Sequence, residues 1–244
     1  MTRHLIVGGA GGVGGALAAR LRARGDAVVI AGRTEATLAA RAAAMGAAWR
    51  VVDARDFDAM ERLVGQLAGE PDGLFGLACC VGSILLKPAH LTSAADFEAT
   101  VSTNLTTAFA TVRAAGRHLS GAGGSVVLFS TAAARLGLAN HEAIAAAKAG
   151  IEGLTRSAAA TYGARGLCVN AIAPGLIDTP LAQRITGNPR SLDASRALHV
   201  RGRIGTADEV ASLAAWLLGE DARWVTGQTL GIDGGLGVAR AAGS

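Results

Sequence analysis

Aromatic side chains are scarce in this sequence. Its 244 residues include three tryptophans, five phenylalanines and one tyrosine, Tyr162. Alanine, glycine, valine and leucine must therefore fill the core, and chemistry that needs a phenol has one candidate. Lysine occurs only at Lys87 and Lys148. The net charge of +4 is modest and almost wholly arginine. No basic run interleaves with aromatics, which argues against nucleic-acid binding. Three cysteines, Cys79, Cys80 and Cys168, are odd in number and lack C-x-x-C spacing. Neither a disulfide framework nor a metal site is expected from them. No apolar run reaches the ~18 to 20 residues of a membrane span. The opening stretch runs straight into a glycine turn without the apolar segment of a signal peptide. These absences predict a soluble, cytoplasmic protein.

What is present is an alternation of apolar strands and helical stretches. Half of the residues are apolar, enough for one globular domain, 1–244, with a substantial core. Strands are expected at 5–7, 27–31, 48–52, 74–81, 125–129, 167–172 and 229–232. Helices are expected at 16–24, 34–45, 56–68, 96–119 and 140–164. Another is expected from Thr206 to Leu218, where Thr206 and Glu209 form a capping box. Residues 176–203 read as an irregular polar segment covering a substrate. The pattern gives the α/β class, a doubly wound parallel sheet with helices on both faces.

The first strand leads into Gly8-Gly9-Ala10-Gly11-Gly12-Val13-Gly14 and then a helix. Glycines let a pyrophosphate approach the backbone, and the helix N-terminus offers unpaired N–H groups and a positive dipole end. A dinucleotide site is expected there. The second strand ends at Ala31-Gly32-Arg33, without the acid that would hold a ribose 2′-hydroxyl. An arginine at this place either pairs with a 2′-phosphate or stacks on adenine. The first option favours NADP(H) over NAD(H). Asp53, at the end of the third strand, can accept a hydrogen bond from the adenine amino group or cap a turn.

The chain resembles the short-chain dehydrogenase/reductases over about residues 3–237. The resemblance rests on Gly8-x3-Gly12-x-Gly14, Asp53, Asn104, Ser130-Thr131, Lys148, Cys168-Val169-Asn170-Ala171, Pro174-Gly175-x3-Thr179, Gly227-Gln228 and Asp233-Gly234-Gly235. It implies a Rossmann-type fold. It also implies a cofactor held by Gly8, Gly9, Gly11, Gly12, Val13 and Gly14, and by Arg33, Asp53, Ala54 and Lys148. Pro174, Gly175, Ile177 and Thr179 would lie on the nicotinamide side. Catalytic roles fall to Lys148, Thr131 and Asn104, and a homotetramer is implied.

Two places depart from the family. Cys79-Cys80-Val81-Gly82 stands where Asn-Asn-Ala-Gly is usual, and Ile144-x3-Lys148 stands where Tyr-x3-Lys is usual. Tyr162 lies fourteen residues beyond the lysine and cannot fill the gap. A positioned acid contributes ~10²- to 10⁴-fold in rate. On an ideal helix His141 shares a face with Ile144 and Lys148. His141-x6-Lys148 has the spacing of Tyr-x6-Lys in the bacterial enoyl-ACP reductases. The 2,4-dienoyl-CoA reductases also lack tyrosine four residues before the lysine. His141 is thus either a displaced proton donor for a conjugated C=C substrate or a solvated first-turn residue. Plain C=O reduction with Lys148 or Thr131 as donor, and an NADP(H)-binding subunit or sensor without turnover, also remain. The substrate is expected to be a small molecule or an acyl thioester. Arg184, Arg190, Arg196, Arg201 and Arg203, against Asp193 alone, either attract a phosphate-bearing substrate or reflect an arginine-rich loop.

Overall fold

The computed structural model describes residues 2–240. The chain begins β1 (Arg3–Val7), α1 (Gly12–Ala23), β2 (Ala27–Gly32), α2 (Glu35–Met45), β3 (Ala48–Val51), α3 (Phe57–Gly69) and β4 (Gly76–Cys79). It continues with α4 (Ala94–Val101), α5 (Thr107–His118), β5 (Gly124–Phe129), α6 (Glu142–Tyr162) and β6 (Leu167–Pro174). The last part holds β7 (Ile177–Asp178), α7 (Gln183–Thr186), α8 (Pro189–Leu198), β8 (Gly205–Thr206), α9 (Ala207–Leu217) and β9 (Thr229–Ile232). Seven strands form one sheet in the order β3-β2-β1-β4-β5-β6-β9, and each neighbouring pair is parallel. β7 and β8 form a separate two-stranded ribbon.

Successive strand residues point to opposite faces, so a parallel sheet covered on both sides must be apolar throughout. β1 shows this directly. Leu5 and Val7 join the core under α3, α5 and α6, while Ile6 joins the core under α1, α2 and α9. The strand order reverses direction between β1 and β4. A crevice opens at the carboxyl ends of the strands at such a switch point. Among the described residues no helix is long and apolar enough to cross a membrane.

Three elements differ from the sequence-based expectation. α1 starts at Gly12, four residues earlier than expected. The glycines disfavour a helix interior but not its first turn, so the second half of the turn is already helix. The long helix expected at 96–119 starts at Ala94, capped by Ser93, and carries a π turn over Ser102–Thr106 between α4 and α5. Residues 176–203 are ordered into β7, α7 and α8 rather than irregular. Asn188 accepts from the Ser191 N–H at 3.1 Å and Pro189 takes the first helical position, which together start α8. The capping box of α9 forms with both arms.

A buried histidine ties the foot of β1. His4 is fully buried, and its Nε2 lies 3.0 Å from Thr2 Oγ1 and 3.6 Å from Asp26 Oδ2. Burial pushes its pKa down from 6.5 to about 4, against the pull of Asp26. Between those values the unfolded chain binds the proton and the folded chain does not, so stability falls as pH drops from 6.5 towards 4. The loss should approach roughly 3 kcal/mol. Urea unfolding of His4→Leu should lose most of this slope. An unchanged slope would assign the acid sensitivity elsewhere.

Candidate active site

The crevice at the switch point is a cleft of about 380 Å³. Its floor is the glycine turn. Gly8 N–H donates to Ala31 O at 2.7 Å and Cys80 N–H to Val7 O at 2.8 Å, which sets the turn between β2 and β4. A Cβ at Gly8, φ +82°, would stand 2.9 Å from the Cys80 carbonyl carbon, and one at Gly12 2.7 Å from Thr179 Cγ2. The N-terminus of α1 has no acid in its first turn and no side-chain cap. A backbone cradle and a bare helix N-terminus fit a pyrophosphate. Gly8, Gly11, Gly12, Val13 and Gly14 line the cleft. Gly9 does not: its side faces Ile30, 2.7 Å from a built Cβ, so it serves close packing against β2.

The end of the cleft beside β2 and β3 is lined by Arg33, Thr34, Thr37, Val52, Asp53, Ala54 and Arg55. Asp53 is engaged by Arg55, with Nε at 3.0 and 3.2 Å and Nη2 at 2.6 Å from its oxygens. These bonds, with Arg33 adding to them, hold the carboxyl down at about 2. Arg33 has no ion pair among the described residues. Arg55 was not singled out from sequence. Its position two residues after the acid, beside an arginine at the end of β2, is the signal that could have found it.

The reacting end gathers the ends of β4, β5 and β6 around α6. Lys148 is 8% exposed, and its Nζ donates to Phe129 O at 2.8 Å. Burial pulls the ammonium down to about 8, opposed by the adjoining Cys79 and Cys80 thiols. Cys80 lines the cleft, and burial pushes its thiol up. A Cβ on Gly82 would lie 3.1 Å from Asn104 Oδ1 and 3.5 Å from Lys148 Nζ, so these three residues converge.

Asn104 sits in the π turn, a distortion found often at functional sites. Its amide donates to Ser83 Oγ and Thr100 O, both at 2.9 Å, and its Oδ1 accepts from Ser83 N–H at 3.1 Å. The side chain therefore braces the 82–83 loop. Thr131 Oγ accepts from Ala133 N–H at 3.3 Å and lies 3.5 Å from Pro174 O.

Ser130 fixes the end of β5 to α6. Its Oγ lies 3.1 Å from Lys148 O and 3.0 Å from Glu152 Oε1, and Glu152 also pairs with Arg135 at 2.8 Å.

Ile144 is buried. His141 is placed differently from the ideal-helix expectation. α6 begins at Glu142, with His141 at its cap and Nδ1 2.7 Å from Ala139 O. No hydrogen bond joins its ring to Lys148 or Thr131 among the described residues. A carbonyl only accepts, so Nδ1 carries the proton and neutral His141 leaves Nε2 as an acceptor.

Elsewhere Thr179 lines the cleft, together with Leu181, Thr103 and Thr107. Pro174, Gly175 and Ile177 stand behind that wall, Ile177 in the core and Gly175 against Asp233 and His199. Among the arginines of the covering segment, Arg196 pairs with Asp193 at 3.1 Å and Arg203 with Glu209 at 2.5 Å.

The family described as Enoyl-(Acyl carrier protein) reductase matches residues 8–237. A cis-4-hydroxycyclohexanecarboxylate dehydrogenase of Sinomonas cyclohexanicum is 37% identical over 237 residues, covering 95% of this chain and 94% of that protein. A short-chain type dehydrogenase/reductase of Mycobacterium ulcerans superposes with a TM-score of 0.93 at 30% identity, covering 98% of this chain and 91% of that one. An actinorhodin polyketide ketoreductase variant solved with NADPH superposes with a TM-score of 0.89 at 26% identity, covering 98% of each chain. With similarity running from the glycine turn through the C-terminal strand, the chain belongs to the short-chain dehydrogenase/reductase family of oxidoreductases.

Proposed function

We propose that the chain is an NADP(H)-dependent reductase of a C=O or conjugated C=C bond, with Lys148 as the cationic donor where the family's tyrosine is absent. The substrate is a small molecule or an acyl thioester. One observation carries the reading: Lys148 is a buried ammonium held at the junction of Phe129, Gly82 and Asn104. When bound, the nicotinamide supplies or accepts the hydride. The glycine turn and the α1 N-terminus hold the pyrophosphate. Arg33 and Arg55 take the 2′-phosphate. Lys148 stabilises negative charge on the substrate oxygen from a desolvated position, where a fixed charge acts strongly. Thr131 offers a hydroxyl beside it. Ile144 excludes water and donates nothing.

The relatives' activities support the C=O branch, since they include a hydroxy-acid dehydrogenase and a ketoreductase. Exposed Phe97, Phe109 and Trp224 fit a homotetramer. Three free cysteines fit a reducing, cytoplasmic setting.

The test is NADPH oxidation by the purified protein with a cyclic ketone, a β-ketoacyl thioester, an enoyl thioester and a quinone. Turnover on a ketone is expected. A second reading is an NADP(H)-binding subunit or sensor, favoured by buried Ile144 and by the Lys148–Phe129 bond. Tight NADPH binding without oxidation of any substrate would establish it. His141→Ala should leave kcat nearly unchanged. A loss near the ~10²-fold floor for a positioned acid would move the donor role to His141.

A further inference from the structure

Residues 175–181 run from the end of β6 to the wall of the cofactor cleft, where Thr179 and Leu181 face the glycine turn. Most ties on this segment are main-chain bonds. Gly175 N–H donates to Ile232 O at 3.3 Å, Gly205 N–H donates to Leu176 O at 2.9 Å, and β7 pairs with β8. One tie is a side chain. His199, 3% exposed, follows α8 and bridges it to this segment. Its Nδ1 lies 2.7 Å from Ser195 O, and its Nε2 lies 3.1 Å from Leu176 N. A Cβ on Gly175 would stand 2.5 Å from Nε2, so the imidazole fits only against a glycine.

The two partners fix the protonation state. A carbonyl only accepts and an amide N–H only donates. The proton must sit on Nδ1 and the lone pair on Nε2. A protonated ring would set an N–H against the Leu176 N–H and break the tie. Asp233 is a carboxylate of this cavity with no ion pair among the described residues. Arg203 is paired with Glu209 on α9, and Arg196 on α8 with Asp193. The Asp233 oxygens accept from Gly235 and Gly237 N–H, each at 2.9 Å. Arg201 lines the same cavity and has no ion pair among the described residues.

We propose that His199, in its neutral form, is a positioning residue that holds residues 175–181 as the nicotinamide-side wall of the cofactor cleft. The inference rests on the reading that this cleft binds NADP(H).

The experiment is fluorescence titration of NADPH at pH 7.5, with hydrogen exchange of the Leu176 amide measured beside it. His199→Ala should weaken NADPH binding about tenfold at pH 7.5, the value of one buried hydrogen bond. His199→Gln, whose oxygen can accept from Leu176 N–H, should recover part of the affinity. NADPH affinity equal in wild type and His199→Ala, His199→Gln no tighter than His199→Ala, or a Leu176 amide equally protected in wild type and His199→Ala, would overturn the proposal. If the wild type bound no nicotinamide cofactor while Leu176 lost protection in His199→Ala, the cofactor reading would fail and the His199 tie would stand.

Discussion

Replacing Lys148 with methionine lowers kcat by ~10²- to 10⁴-fold, the range for loss of a positioned acid or charge. Methionine keeps the unbranched length and apolar stem, so the cavity barely changes. What disappears is the charge and the hydrogen bond to Phe129 O. Leaving that buried carbonyl unpaired costs about 1–3 kcal/mol of stability, a side effect that thermal unfolding will register. The rate should fall further than NADPH affinity, because the glycine turn and the arginines are untouched. Lys148→Arg should not restore the rate, since a planar guanidinium does not fit an ammonium's enclosed place. Single-turnover NADPH oxidation measures the effect. A methionine variant with undiminished rate would remove Lys148 from the chemistry.

The second large effect concerns the choice of cofactor. Arg33→Ala with Arg55→Ala should weaken NADP(H) binding by ~10²-fold and leave NAD(H) binding nearly unchanged. Hydrogen bonds to charged groups contribute ~1.5–3 kcal/mol each, and the exposed rim keeps the double loss near the lower end. Arg55 acts in two ways. It offers donors to a phosphate, and it neutralises Asp53, which it holds through bonds of 2.6 to 3.2 Å. Removing Arg55 alone bares that carboxylate towards the phosphate, so Arg55→Ala should cost more than a lost contact. Asp53→Asn should tighten NADP(H) binding relative to NAD(H). High salt should shrink these differences. Equal affinities for NADPH and NADH in the wild type would end the NADP(H) assignment.

The glycine turn, the alternation that gives a parallel sheet and the α9 capping box were legible in sequence because each is a repeated or local pattern with one structural solution. The start of α1 was not, since Gly12 and Gly14 look like loop until the helix N-terminus is seen to need them. α8 was missed although Asn188-Pro189 is a helix start, because the arginine-rich, polar run after it hides any apolar face. The place of His141 was legible in part. Its spacing to Lys148 suits a regular helix, but the chain turns at Asn140, φ +65°, and leaves His141 at the cap. His4 and His199 act through burial and through partners far away in sequence, which a local reading does not contain, whereas Arg55 binds its near neighbour Asp53 and was open to such a reading.

The most direct measurement is the pH dependence of single-turnover NADPH oxidation with the best ketone found. With Lys148 as the cationic donor, the rate should be full below the lysine's shifted value of about 8 and fall as pH rises through it. His141→Ala should retain that limb. A rate flat through pH 8, or a limb that vanishes in His141→Ala, would contradict the assignment of Lys148 as the donor.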